Sequence, residues 1–137
     1  MRYRTRFILM VFAALWIELI FLPAPAVLAD MELVSIAGTG AQGNGSSNSA
    51  AISSGRFVAF NTYSNNLAPG DTNGLLDIFV HDRQTGDTVR VFISSDGEEG
   101  NGHSGYPAIS RYGKHIVFNS AASNLVHNDT NKDHDIR

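Results

Sequence analysis

Two short acidic stretches carry the residues with the clearest capacity for chemistry. The first places Asp71, Asn73 and Asp77 at relative positions 1, 3 and 7. The second has oxygen-bearing side chains at positions 1, 3, 5 and 7, and these are Asp129, Asn131, Asp133 and Asp135. Oxygen ligands at alternate positions, with a glycine such as Gly74 nearby, can wrap a hard cation. The pattern therefore predicts Ca²⁺ as a candidate cofactor of these loops.

The same residue types are also typical of tight turns. Asp and Asn side chains accept hydrogen bonds from backbone amides two residues further on, which stabilises a turn without any metal. Leu75 occupies position 5 of the first stretch, and neither stretch supplies a glutamate at position 12 to bind calcium through both oxygens. Both interpretations, the calcium loop and the capped turn, stay open on the sequence alone.

Motifs for catalysis are not found in the sequence. It contains no G-x-S-x-G, no H-E-x-x-H and no phosphate-binding loop. None of the histidines, at positions 81, 103, 115, 127 and 134, has a close partner at i+2 or i+4, so we expect them on the surface or on strand faces. The absence of cysteine excludes disulfides, thiolate metal sites and cysteine nucleophiles. We predict no catalytic residues and no enzymatic activity for the chain as it stands.

The charge balance excludes one class of partner. The 137 residues have a formal net charge of −3, and beyond residue 29 twelve acidic side chains face only seven basic ones. Nucleic-acid binding needs clustered lysine and arginine to contact phosphates. We therefore expect the partner to be a protein or another extracellular ligand rather than a nucleic acid.

Residues 1–29 have the pattern of a signal peptide. Three arginines precede a mainly apolar run from Phe7 to Leu22, and small residues end the segment before Asp30. The alternative is an uncleaved leader that anchors the chain in a membrane. The apolar run is shorter than the roughly 20 residues of a spanning helix, and Glu18 interrupts it. Both interpretations place residues 30–137 outside the cytoplasm, in the periplasm or in the medium.

The rest of the chain repeats itself. Residues 34–53 align with 91–110 at an offset of 57, and residues 55–79 align with 113–137 at an offset of 58. Twenty of these 45 aligned positions are identical. The comparison predicts a first repeat over 34–90 and a truncated second repeat over 91–137.

Each repeat has the pattern of strands joined by turns. Short β-branched and aromatic runs, each entered through a glycine turn, predict strands at 56–61 and 114–119. A further strand is expected at 77–82, and alternation from Thr88 to Ser94 predicts the fourth strand of the repeat. A brief strand near Ala51 begins the unit. The predicted fold class is all-β, built of four-stranded antiparallel units.

These residues resemble a known family. The pattern A-I-S-x-G-R-x-V-x-F at 51–60 and D-I-F-V-x-D-x-x-T-G-x-x-x-R-V at 77–91 is similar to the WD-like β-propeller repeat of the TolB type. The resemblance implies blades of four strands arranged around a central channel. It carries over the fold and not the function, because the connection 62–76 is longer than in compact TolB-type blades.

About 1.8 such repeats are fewer than the four to eight blades of typical propellers. We therefore expect an incomplete propeller, either the N-terminal piece of a longer protein or a truncated reading frame. The segment 32–36 has the alternation of a closing strand, and without a partner its open edge would favour self-association. The predicted function is a binding or interaction scaffold. The alternative is the propeller portion of a secreted peptidase or other hydrolase whose catalytic part is missing.

Overall fold

The structure, a computed structural model, describes residues 31–127, 129–131 and 133–137. Seven strands and no helix are found in these residues. The strands are β1 (Ser47–Ser53), β2 (Phe57–Thr62), β3 (Asp77–Asp82), β4 (Thr88–Arg90), β5 (Ser104–Ile109), β6 (Ile116–Ser120) and β7 (Asp135–Ile136). They form two antiparallel sheets, one in the order β1-β2-β3-β4 and one in the order β5-β6-β7. The all-β prediction is thus confirmed, whereas the predicted signal peptide, residues 1–29, lies outside the described residues.

Short turns join β1 to β2 and β3 to β4, whereas the long loop 63–76 joins β2 to β3. Between β1 and β2, the amide of Arg56 donates to the carbonyl of Ser53 at 2.9 Å, and Gly55 adopts a φ of +84°. A side chain is strained at such an angle, so the glycine suits the turn. The paired β2 and β3 place Phe60 opposite Phe79, and their rings stack with centroids 6.1 Å apart. Local turn chemistry and cross-strand pairing therefore set the register.

Apolar side chains are buried on both faces of β3. One face contributes Phe79, which packs with Val58, Phe60 and Leu67. The other face contributes Ile78, which lies in a second buried cluster with Phe92, Ala122 and Leu125. Because Ala122 and Leu125 follow β6, the second cluster joins the two sheets. Burial of the Ile78 face between the two sheets stabilises their packing.

The fourth strand is shorter than its alternation predicts. It ends at Arg90 rather than Ser94, and its buried face carries Thr88 and Arg90 while Val89 is 53% exposed. The hydroxyl of Ser94 accepts hydrogen bonds from the amides of Asp96 and Glu98 at 3.2 and 3.1 Å. This local capture of amides competes with strand pairing, so the chain turns away from the sheet.

The segment 32–36 is not a strand, in contrast to the prediction. It forms a single isolated bridge, from Ile36 to Gln42. The carbonyl of Ile36 instead accepts a hydrogen bond from the hydroxyl of Thr88 on β4. The Thr88 hydroxyl has a single proton, and it donates that proton to Ile36. The ring of the buried His81, whose Nδ1 is 2.9 Å from the Thr88 oxygen, must therefore be the donor in their hydrogen bond. Side-chain hydrogen bonds therefore fix this segment where a strand ladder was expected.

The backbone geometry recurs along the chain. Both sheets have an irregularity in the first strand, between Asn48 and Ala51 in β1 and between Gly105 and Ala108 in β5. Ser49 and Tyr106, 57 positions apart, both have positive φ, at 46° and 51°. The isolated bridge of the first segment also has its counterpart 57 residues later, between Ile93 and Glu99.

Candidate functional site

The loop before β3 is organised by Asn73. Its side-chain Oδ1 accepts a hydrogen bond from the amide of Leu75 at 2.7 Å, which is the geometry of an Asx turn. Its Nδ2 donates to both carboxylate oxygens of Asp77 and to the carbonyl of Gly100, at 3.2 Å in each case. Asn73 therefore both caps the turn and orients Asp77 at the start of β3.

Arg90 supplies a cation at the centre of this loop. Asp77 and Arg90 lie on the same face of the first sheet, because Arg90 pairs across the ladder with Phe79, two residues from Asp77. The Arg90 Nη1 is 3.6 Å from Asp71 Oδ1 and 3.5 Å from Asp77 Oδ2. The same nitrogen donates to Glu99, and Nη2 donates to the carbonyl of Gly70 at 3.1 Å. We call Asp71, Asp77, Arg90 and Glu99 the acidic–arginine cluster.

The cluster is largely withdrawn from solvent. The side chains of Asp77, Asp71 and Arg90 are 0%, 4% and 9% exposed, whereas that of Glu99 is 23% exposed. Thr72 fixes Glu99 through its amide at 2.8 Å and its hydroxyl at 2.6 Å. The cluster thus links the loop before β3, the end of β4 and the segment before β5.

The net shift of the pKa differs among the three carboxyl groups, although burial raises it in each. Burial, reinforced by the charge of Asp71, raises the pKa of Asp77 to about 7, against the hydrogen bond from Asn73 and the charge of Arg90. Burial also raises the pKa of Asp71, although Arg90 opposes it. Burial acts in the same direction on Glu99, but hydrogen bonds from Thr72 and Arg90 outweigh it and lower the pKa of Glu99. Near neutral pH, the Asp77 carboxyl therefore holds its proton for a substantial fraction of the time.

The second acidic loop has a similar arrangement with a different arginine. The Asn131 Nδ2 donates to Asp135 at 3.4 Å, and the Asn131 Oδ1 accepts from the amide of Asp133 at 3.1 Å. Arg137, immediately after β7, pairs with Asp129 and, at 3.0 Å, with Asp135. The exposed Asp133 accepts from the amide of His134 instead of the arginine. All seven predicted ligand residues therefore lie in these two loops, and of their five carboxylates only that of Asp133 is not paired with an arginine.

Three charged residues of these clusters were missed by sequence reasoning. Arg90 and Arg137 each provide the positive charge of one loop, and Glu99 provides a third carboxylate in the first. Arg90 could have been found from the β3–β4 register, which places it on the face of Asp77. Glu99 lies 27 residues from the Thr72 that binds it, and no sequence motif connects the two.

The first loop has the ligand chemistry of a cation site. Carboxylate oxygens of Asp71, Asp77 and Glu99 lie within 4.8 Å of one another, and hard cations prefer such ligands. The Arg90 guanidinium is hydrogen-bonded or ion-paired to the same carboxylates. A bound Ca²⁺ would therefore compete with Arg90, and calcium remains a prediction for both loops.

Comparison of the chain with protein-family models, with curated proteins and with solved structures finds no match. The TolB-type resemblance therefore remains a prediction from the repeated residues. Within the described part of the chain, no helix has the length and apolar character needed to cross a membrane.

Proposed function

We propose that this chain is an exported β-propeller module, present as fewer than two blades, that serves as a binding or interaction scaffold. The observation that carries the proposal is the packing of one sheet on the next. Ile78 of β3 and Phe92 are fully buried in one cluster with residues that follow β6. Adjacent blades of a propeller stabilise each other by face-to-face burial of this kind.

The spacing of the strands supports the same proposal. The starts of β1 and β5 are 57 residues apart, and those of β3 and β7 are 58 apart. A hydrogen bond from the amide of Asn44 to Asn66 Oδ1, at 3.0 Å, recurs between Asn101 and Asn124 at the same length. The recurrence of the same hydrogen bond in a second unit is typical of a repeat architecture.

The first strand of each sheet leaves polar groups accessible. Asn48 and Ser49 of β1 are exposed, and Tyr106 of β5 is 77% exposed. In a propeller these first strands would be the innermost, and they would line the central channel. Exposed hydroxyl, amide and aromatic groups at that position are suited to binding a ligand. The acidic groups, by contrast, face arginines within the fold.

Reading the coding DNA beyond the Arg137 codon tests the scaffold proposal. Further repeats of the D-I-F-V and T-G pattern, followed by no catalytic domain, would support it. A segment with a nucleophile elbow, typical of α/β-hydrolases, would favour the alternative that the propeller is part of a secreted hydrolase.

Export can be tested separately by expressing the complete chain and measuring the intact mass of the product outside the cytoplasm. A mass that begins at Asp30 supports a cleaved leader. A product that retains Met1 and sediments with membranes would contradict cleavage and indicate an anchored protein instead.

A further inference from the structure

A cleft lies between the two sheets, on the side of β1 and β5. Its volume is about 410 Å³, within the range of roughly 300–1,000 Å³ that small-molecule sites occupy. Its polar lining includes Asn61, His103, Ser104, Tyr106, Asn119 and His134. It is distinct from the acidic–arginine cluster, because none of the four cluster residues lines it.

Two buried polar atoms, each in a residue that lines this cleft, have no hydrogen-bond partner among the described residues. They are Oδ1 of Asn61 and Oγ of Ser104, and these two residues are 3% and 2% exposed, respectively. Leaving such a group unsatisfied costs about 1–3 kcal/mol. Because both residues line the same cleft, a ligand within it is the candidate partner for both atoms.

The equivalent serine of the first sheet shows that a hydroxyl at this position can form a hydrogen bond within the protein. Ser47, 57 residues before Ser104, donates its hydroxyl proton to Thr62 Oγ1 at 2.9 Å. At the place that corresponds to Thr62 the second sheet has Ser120, whose hydroxyl accepts from the amide of Ala122. Thr62 likewise accepts from the amide of Ser64, but on the second sheet Ser104 Oγ has no partner among the described residues.

The floor of the cleft is kept open by Gly105. A Cβ atom at this position would lie 3.1 Å from Asn61 Nδ2 and 3.6 Å from Asn119 Oδ1. The first of these separations is tighter than ordinary van der Waals contact, so a side chain at residue 105 would crowd the Asn61 amide. The two asparagine amides can thus present donors and acceptors side by side above a glycine.

The lining indicates the chemistry of the ligand. Hydroxyl, amide and imidazole groups line the cleft, together with Leu76 and the ring of Tyr106, and among the described residues no carboxylate, lysine or arginine contributes to it. A charged ligand would find no opposite charge there and would lose its hydration. A ligand with several hydroxyls can both donate to Asn61 Oδ1 and pair with Ser104 Oγ, and an apolar C–H face can rest on the exposed tyrosine ring.

We propose that this cleft binds a neutral saccharide unit. The inference rests on the proposed scaffold function, since it treats the cleft as a site of binding without turnover. The Ser104 hydroxyl and the Asn61 amide bind vicinal hydroxyls of the sugar, and Tyr106 contacts its apolar face at the mouth of the cleft.

The test uses the full chain and saturation-transfer difference NMR with four probes: glucose, galactose, mannose and N-acetylglucosamine. Binding of at least one probe is expected. Ser104→Ala should weaken it about tenfold, the effect of one lost hydrogen bond. The melting temperature of Ser104→Ala should not fall, because the hydroxyl that is removed has no partner within the described protein.

Ser47→Ala is the matched control. It removes a hydroxyl that is hydrogen-bonded to Thr62, so it should lower the melting temperature and leave saccharide affinity unchanged. Binding of none of the four probes, equal affinity in Ser104→Ala and wild type, or tighter binding of gluconate than of glucose would overturn the saccharide inference. Cleavage of cellotriose by the chain would instead contradict the scaffold proposal and leave the cleft as a saccharide site.

Discussion

The guanidinium of Arg90 lies 3.5 Å from the carboxylate of Asp77, a side chain with no exposure to solvent. The same guanidinium nitrogen also contacts Asp71 and Glu99, so one positive charge faces three acidic groups. These residues come from the loop before β3, from β3 itself, from β4 and from the segment before β5. A single ionic centre therefore holds the first sheet to the chain that enters the second.

Replacing Arg90 should be strongly destabilising. Arg90→Met would remove the only positive charge of the cluster and leave its carboxyl groups buried without a counter-charge. Loss of one partner from a buried pair typically costs about 3–5 kcal/mol of unfolding free energy. The expected result is a loss of that order in urea-induced unfolding at pH 7, followed by circular dichroism.

Arg83→Met is the matched control for that variant. Arg83 pairs with Glu32, and their side chains are 37% and 40% exposed. Exposed pairs contribute about 0–1 kcal/mol, so this variant should unfold close to the wild-type midpoint. Equal losses in Arg83→Met and Arg90→Met would contradict the structural importance assigned to the buried cluster.

Asp77 should make the stability depend on pH. Its pKa of about 7 in the folded chain is above the ordinary value of 3.8, so the folded state binds more protons than the unfolded state between these limits. Its contribution to stability is thus present at low pH and is lost as the pH rises from about 4 to 7. The slope can reach about 1.4 kcal/mol per pH unit, the value for one proton.

Asp77→Asn should remove this slope. In urea unfolding between pH 5 and pH 8, the wild type should lose stability as the pH rises, and the variant should change much less. Asp135→Asn, at the equivalent position of the second loop, is the control, because the Asp135 side chain is 32% exposed and should retain the wild-type slope. Parallel pH profiles for wild type and Asp77→Asn would count against a buried proton on Asp77.

Acid loss of stability should have a different origin. The Arg56 guanidinium, by hydrogen bonding and by its charge, lowers the pKa of Asp82 to about 2, with further hydrogen bonds from the amides of Gln84 and Thr85. Because this pKa is depressed, the contribution of the pair is present above about pH 4 and is lost as the pH falls towards 2. The two effects therefore fall in separate pH windows.

The elements that sequence reasoning located are those whose stability is local. We could recognise the glycine turn at Gly55 and the β-branched and aromatic run of β2, because neighbouring residues determine turn geometry and strand alternation. The capped turn at Asn73 was one of two open interpretations, and its hydrogen bond to the amide of Leu75 is formed. Local rules suffice where the partners are two or three positions apart.

The elements that sequence reasoning missed depend on distant partners. The expected strand over 88–94 stops at Arg90, because Arg90 turns inwards to carboxylates and Ser94 captures amides of its own loop. The segment 32–36 is held by the hydroxyl of Thr88, more than 50 residues away. Propensity for strand structure was present at both places, and tertiary hydrogen bonds and ion pairs overrode it.

Packing between the sheets should depend on the fit of Phe92 against Gly100. The Phe92 side chain is fully buried, and its ring contacts that of Phe118 edge-on with centroids 6.2 Å apart. A Cβ atom at residue 100 would lie 2.0 Å from Cζ of Phe92, so no side chain fits there without moving the ring. Gly100→Ala should therefore overpack the interface and cost about 1–3 kcal/mol.

Phe92→Ala should be more costly. Removing the buried ring leaves a cavity between the sheets, and such changes typically cost about 3–5 kcal/mol. Ile93→Ala is the control, because Ile93 is adjacent in sequence and 48% exposed, so its truncation should cost much less. Urea unfolding of the three variants measures the differences. A loss in Ile93→Ala as large as that in Phe92→Ala would show that the buried cluster does not join the sheets in the way described.

Calcium binding should be limited by the arginine already within the first loop. Carboxylate oxygens of Asp71, Asp77 and Glu99 lie within 4.8 Å of one another, but Arg90 contacts all three residues. A cation that binds only the folded chain raises its stability by RT ln(1 + [L]/Kd). We therefore expect millimolar Ca²⁺ to raise the melting temperature of Arg90→Met more than that of the wild type, as measured by differential scanning calorimetry. Asp71→Asn in the Arg90→Met background should abolish the added stabilisation, and equal calcium responses in wild type and Arg90→Met would contradict competition at this loop.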